Sequence, residues 1–218
     1  MLWEVEEEGI AATAPAEAVD VAFPLRGRAL PEAYAAALAE ALAPLLAPLA
    51  EPRRVGVRVA HIPAAGHGWQ RVPGRPIPLP RRARLVLRLP REAAMAAAGE
   101  LPGRRLSVAG EALQLGEARP AELPAAETLY AHRVLGLGDD EERLLAAAEG
   151  ELRGLGIRPR RMLCGRSERL LTPDGPVAVR SLLVDGMGAE AGRLLQARGL
   201  GEGRCWGCGV FIPHKAVV

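Results

Sequence analysis

The chain has 218 residues, with 28 basic and 26 acidic side chains, 49% hydrophobic content and three cysteines. That length suits one large domain or two of about a hundred residues, and with no apolar run near ~20 residues it excludes a transmembrane protein. Six acids and no base in residues 1–20 argue against a secretory leader, and three cysteines cannot build a disulfide framework, so the expected compartment is the reducing cytoplasm. Residues 1–17 read as an acidic, Ala-rich extension. From Val19 the run Val19-Asp20-Val21-Ala22-Phe23-Pro24-Leu25 alternates as a strand does, and Arg26-Gly27-Arg28 closes it. Leu30-Pro31-Glu32 opens a helix reaching about Ala50, with proline and acid in the first turn. Val55–His61 alternates again, and a Gly/Pro loop over Ile62–Arg82 leads to a strand at Ala83–Leu89. Arg91–Glu100 is a short helix, and Arg105–Leu115 a strand broken at Gly110. The order is βαββαβ, a ferredoxin-like unit over residues 18–117.

Residues 118–128, with Pro120 and Pro124, read as a linker. The order then repeats over residues 129–218. Leu129–Leu137 is a strand, Asp139–Leu155 a helix and Pro159–Leu163 a strand. Val177–Val184, a helix at Ala189–Ala197 and a last strand at Gly209–Pro213 complete it. Asp139 and Asp140 stand where they cap the first of these helices. The predicted fold is α+β, with two ferredoxin-like units in tandem that share a pattern and little residue identity.

Past residue 20 the body holds 28 bases against 20 acids, and 27 of the bases are arginine, with Lys215 the lone lysine. A GC-rich genome produces such a bias by itself. Guanidinium also grips phosphate through a planar fork, so a polyanionic partner fits the surplus. Aromatic residues make up only 3%, which leaves little material for stacking platforms of the RNA-recognition-motif type.

The sharpest local signal is Gly199-Leu200-Gly201-Glu202-Gly203-Arg204-Cys205-Trp206-Gly207-Cys208-Gly209, five glycines between a helix and the last strand. Glycines at that density let backbone N–H groups approach a phosphate, and Arg204 adds charge. It is neither a Walker loop nor a dinucleotide fingerprint. Cys205-Trp206-Gly207-Cys208 has a zinc or redox spacing, which His214 and Cys164 could supplement. No second pair accompanies it, and it precedes a strand, whereas the redox motif opens a helix. Trp206 fits either a base-stacking or a cleft-lining role.

The glycine loop before the last strand, the tail Gly207-Cys208-Gly209-Val210-Phe211-Ile212-Pro213 and the opening Val19–Gly27 followed by Leu30-Pro31 resemble the RAMP superfamily. Within it the similarity is to CRISPR-associated endoribonucleases that process precursor crRNA, and it spans about residues 18–213. The resemblance implies cleavage of repeat RNA at the base of a hairpin, with no metal and no cofactor. The 2′-hydroxyl attacks the adjacent phosphate, leaving a 2′,3′-cyclic phosphate and a free 5′-hydroxyl. It implies the repeat hairpin, the crRNA and other CRISPR effector subunits as partners, and no membrane. The alternative is a non-catalytic RAMP subunit that binds guide RNA.

That chemistry needs a base, an acid and a cation, and histidine titrates in the useful range. In a βαββαβ unit the start of the first helix and the end of the second strand share one end of the sheet. Tyr34, His61 and His67 therefore gather there, facing the glycine loop. His61 is the leading general base and His67 its substitute. Relatives carry a histidine near the position of Tyr34, and a phenol with an ordinary pKa of about 10 makes a donor rather than a base. Cys205 likewise stands where a relative carries histidine. His132 falls inside a strand, to pack or bind a base edge, and His214 stands beside Lys215 near the backbone. The RNA-binding candidates are Arg26, Arg28, Arg82, Arg84, Arg158, Arg160, Arg161, Arg204, Trp206 and Lys215, with Gly199, Gly201, Gly203, Gly207 and Gly209 of the loop.

Overall fold

The computed structural model describes residues 18–62, 75–138 and 140–215. The expected roles of the acidic extension, His67 and Asp139 fall outside them. In the first half, β1 (Ala18–Gly27) buries Val19, Val21, Phe23 and Leu25 on one face, as strand alternation dictates. A two-residue β2 (Ala29–Leu30) leads to α1 (Tyr34–Leu46), which starts three residues after Pro31. It turns Ala35, Leu38, Leu42 and Leu46 inward at helical spacing. Then come β3 (Gly56–Ala60), a two-residue β4 (Ile77–Pro78), β5 (Arg84–Pro90), α2 (Arg91–Glu100), β6 (Arg105–Val108), β7 (Glu111–Leu115) and β8 (Arg119–Glu122). The sheet order is β3-β5-β1-β7-β6, which is the ferredoxin-like arrangement with both helices on one face. Full burial of Phe23 in that layer contributes about 1.5–3 kcal/mol.

Two expectations change here. Arg105–Leu115 is a hairpin, because Ala109 (φ +46°) and Gly110 (φ +86°) make a tight left-handed turn between β6 and β7. The supposed linker also contributes to the sheet. Leu113 to Leu115 pair with Gly27 to Leu25, and Arg119 to Glu122 pair with Ala22 to Val19. β7 and β8 are thus one fourth strand, interrupted between them and running the whole length of β1.

The second half repeats the plan with β9 (Thr128–Val134), α3 (Glu141–Gly154), β10 (Arg161–Thr172), β11 (Gly175–Asp185), α4 (Ala189–Arg198) and β12 (Ile212–Pro213). Its strand order, β10-β11-β9-β12, follows the same second, third, first, fourth sequence. The Asp140 carboxylate accepts a hydrogen bond from Arg143 N at 2.8 Å, and Glu141 and Glu142 occupy the first turn of α3. β10 and β11 outrun the expected strands, because Thr172-Pro173-Asp174-Gly175 is a tight turn that lets the hairpin extend over residues 164–176.

The fourth strand of this half departs most from expectation. Glu202 bridges Leu135, yet Ile212 stands opposite Tyr130: ten steps on one side match five on the other, so five residues leave the ladder. Glu202 N donates to Leu135 O at 2.9 Å, Gly209 N to Arg133 O at 2.8 Å and His214 N to Thr128 O at 3.0 Å. The glycine segment is therefore an interrupted edge strand. Its ejected part, including a 3-10 turn at Arg204–Trp206, packs between the halves against α1 and β3.

Candidate functional site

β3 ends at Ala60, and His61 follows it with φ +60°, the left-handed region that histidine enters more readily than most residues. That turn sets an exposed imidazole at the end of the first sheet. Tyr34 opens α1 at the same end. Both line a cavity of about 580 Å³ between the halves. The opposite wall comes from the second half: Cys205, Trp206 and Gly207 of the ejected loop, Tyr130, His132 and Arg133 of β9, and Glu168 of β10. Tyr34, His61 and the loop thus share one space. Arg58, Tyr130, Arg133 and Glu168 join them unforeseen. Alternation along Val57-Arg58-Val59 and Tyr130-Ala131-His132 was the signal, since it puts Arg58, Tyr130 and His132 on faces turned from their cores.

The cavity lining carries two guanidinium groups, each near a carboxylate. Arg58 Nη2 lies 3.6 Å from Asp20 Oδ2, and Arg133 Nε lies 3.8 Å from Glu168 Oε2. Burial lowers the Arg58 pKa, although Asp20 opposes the shift, and Arg58 Nε finds no hydrogen-bond partner among the described residues. His132 is exposed by area yet set between walls, and that desolvation is the first cause of its lowered pKa; Arg133 and Arg58 follow, with Glu168 opposing. Its imidazole is neutral near pH 7, with one nitrogen a donor and the other an acceptor.

Arg204, expected to add charge for a phosphate, bonds carbonyls of the protein itself. Its Nε donates to Arg54 O at 3.2 Å, Nη2 to Ala197 O at 3.2 Å and Nη1 to Arg198 O, so the fork holds the last carbonyls of α4 and ties the loop to the first half. Desolvation lowers its pKa to about 10, which still leaves it charged. The glycines are likewise committed to the protein. A side chain at Gly209 would strike Leu200 O, and one at Gly201 would strike Leu135 O, both at positive φ. They let backbones cross, and only Gly207 among the loop glycines lines the cavity.

Arg88 is 3% exposed. It bonds Asp20 Oδ1 and Oδ2 at 2.7 and 2.9 Å, then Gln196 O at 3.0 Å and Phe211 O at 2.7 Å across the halves. Arg26, Arg28, Arg82, Arg158, Arg160, Arg161 and Lys215 are exposed and lie off the cavity. Arg84 is half-buried opposite Ala60, next in sequence to His61. Arg158, Arg160 and Arg161 join Arg153 around a separate recess of about 510 Å³.

Cys208 is fully buried, and burial pushes its thiol up to about 12, so it carries no thiolate chemistry near neutrality. Among the described residues no group of three or more His, Cys, Asp or Glu side chains could hold a metal ion, and no helix is long and apolar enough to cross a membrane.

The Cas6 family profile, described as "Cas6 Crispr", matches residues 19–216. No curated protein matches the sequence. A solved structure described as "CRISPR associated protein Cas6" superposes with a TM-score of 0.60 at 11% identity, covering 91% of this chain and 100% of that one. An "RAMP protein binding different RNA substrates" gives 0.55 at 13% identity, covering 91% and 100%. A Cas6-related protein from Pyrococcus furiosus gives 0.54 at 11%, covering 89% and 97%. These likenesses concern the fold, and it is the tandem ferredoxin-like one.

Proposed function

The chain belongs to the Cas6 family of CRISPR proteins, and from that premise we propose that it is a metal-independent endoribonuclease that binds the hairpin of a CRISPR repeat and cuts precursor crRNA at its base. The observation that carries this reading is the meeting of Tyr34 and His61 with the ejected loop around one cavity that holds two guanidinium groups. In the step, the ribose 2′-oxygen attacks phosphorus while His61 takes the hydroxyl proton. The P–O5′ bond breaks, and Tyr34 O–H donates to the departing oxygen. Arg58 and Arg133 supply the positive charge that the phosphorane needs. Products are a 2′,3′-cyclic phosphate and a 5′-hydroxyl. Arg26, Arg28, Arg82, Arg84, Arg158, Arg160, Arg161 and Lys215 grip the stem phosphates, and the crRNA is retained for other effector subunits.

The test is incubation with the hairpin of its own repeat in excess EDTA, with the product ends mapped. A single cut with a cyclic phosphate is expected. His61→Ala should slow it by about 10²–10⁴-fold, the usual worth of a general base, while hairpin affinity holds. Tight binding by the wild-type chain without a cut would overturn the enzyme and leave an RNA-binding structural subunit. A cut that His61→Ala does not slow would move the base elsewhere.

A further inference from the structure

We propose that the cavity receives one unpaired nucleobase of the RNA, stacked on Tyr130, from the nucleotide that follows the cleaved phosphate; the proposal rests on the endoribonuclease reading above. The chain has seven Phe, Tyr and Trp residues. Trp3 and Trp69 lie outside the described residues, and Phe23 and Phe211 are fully buried in the two cores. The remaining three, Tyr34, Tyr130 and Trp206, all line this cavity. Tyr34 packs in part against the first core and Trp206 against a small cluster of Ala35, Leu170, Val179 and Cys208, whereas Tyr130 joins none of the hydrophobic clusters of the described residues, so its ring serves something other than packing. A ring with a polar handle suits a site that is apolar on one side and wet on the other.

The placement of Tyr130 follows from β9. Leu129 and Ala131 point into the core beneath α3 and α4, so Tyr130 and His132 stand on the face turned toward the cavity. The His132 ring lies 4.9 Å from that of Tyr130 at 81°, and the His214 ring 5.5 Å away at 48°. Two rings brace the tyrosine, and neither lies flat upon it. His132 is neutral for the reasons given above, so it adds a polarisable surface rather than a charge. Arg58 and Arg133 line the same space, where the phosphates on either side of a splayed nucleotide would pass. Aromatic faces beside guanidinium groups are the combination that holds single-stranded nucleotides, and a space of about 580 Å³ has the size of a small-ligand site. At the base of a hairpin the nucleotide before the cut is paired, and the one after it is free to turn out.

The experiment uses the full chain and its own repeat hairpin, with a 2′-deoxyribose at the scissile step to prevent cutting and 2-aminopurine at the nucleotide after it. Binding should quench the fluorescence. Tyr130→Leu should remove that quench and weaken binding about 5- to 150-fold, the counterpart of about 1–3 kcal/mol per stacked base, while Tyr130→Phe keeps both. An abasic nucleotide there should weaken the wild-type chain to the same degree and Tyr130→Leu little further. Should Tyr130→Leu fail to fold, the quench and the abasic loss on the wild-type chain decide alone. Fluorescence unchanged on binding, no abasic loss, or abasic and Leu losses that add in full would overturn the nucleobase site. The endoribonuclease reading would survive those results if the all-ribose hairpin is still cut. A chain that does not bind the hairpin overturns both.

Discussion

Residues in the cavity carry environments that their neighbours impose. His132 sits between Arg58 and Arg133 with part of its hydration removed, and both effects favour the neutral ring. Its folded pKa lies below its unfolded value, so the unfolded chain binds more protons as pH falls through that interval. The stability held above about pH 6.5 is then lost as pH drops through the folded pKa. We expect the wild-type chain to lose more thermal stability between about pH 7.5 and about pH 5.5 than His132→Gln does, measured by calorimetry. Equal losses would show that the ring titrates as if unfolded. At this scale the sequence was partly legible. The order βαββαβ brings Tyr34 and His61 to one end, which needs only topology. The faces of Arg58 and Tyr130 were also available from alternation. The partners of Arg204 were not, because Ala197 and Arg198 meet it only where the loop folds back on the end of α4, and Arg54 only once the other half, 150 residues away, has docked.

At the scale of elements, the interrupted fourth strand explains what the glycine density is for. Glycines so close together look like a phosphate cradle when read as a string. In the fold, Gly209 and Gly201 pass against Leu200 O and Leu135 O, so the missing side chains let the chain leave the sheet and return to it. Gly209→Ala would force φ +62° on an L side chain as well as the collision. Strain of that kind costs on the order of 1–3 kcal/mol. We expect a chemical-denaturation midpoint lowered accordingly and a looser site, seen as a slower cut. A Gly209→Ala chain of unchanged stability would mean that the crossing is not tight. The same element logic misjudged residues 118–128. Two prolines marked a linker, yet Pro120 pairs with Val21 on an edge strand, where a missing N–H is harmless.

Across the whole molecule, two similar sheets are joined by an exchange of arginines. Arg88 of the first half grips Gln196 O and Phe211 O of the second, and Arg204 of the second grips Arg54 O of the first. Arg88 is nearly free of solvent, so its removal takes the guanidinium from two carbonyls and leaves Asp20 with only the more distant Arg58. Breaking a buried pair of this kind costs about 3–5 kcal/mol. We expect Arg88→Ala to lose about that much, and to split one urea transition into two as the cores part company. A single unshifted transition would remove Arg88 from its place at the junction. The tandem plan itself was plain from periodicity. The junction was hidden, since Arg88 reads as one more charge among 27 arginines.

A gap whose two walls are tied together by guanidinium groups resists being widened by a guest. It works as a gauge rather than a jaw. Whatever enters must supply the deformation itself, and for a nucleic acid that means unstacking, a few kcal/mol for each base turned out. Frayed ends of a stem meet that demand cheaply, and the middle of a continuous helix does not. The point of entry along an RNA is then selected by the mechanics of the RNA, measured against a fixed opening.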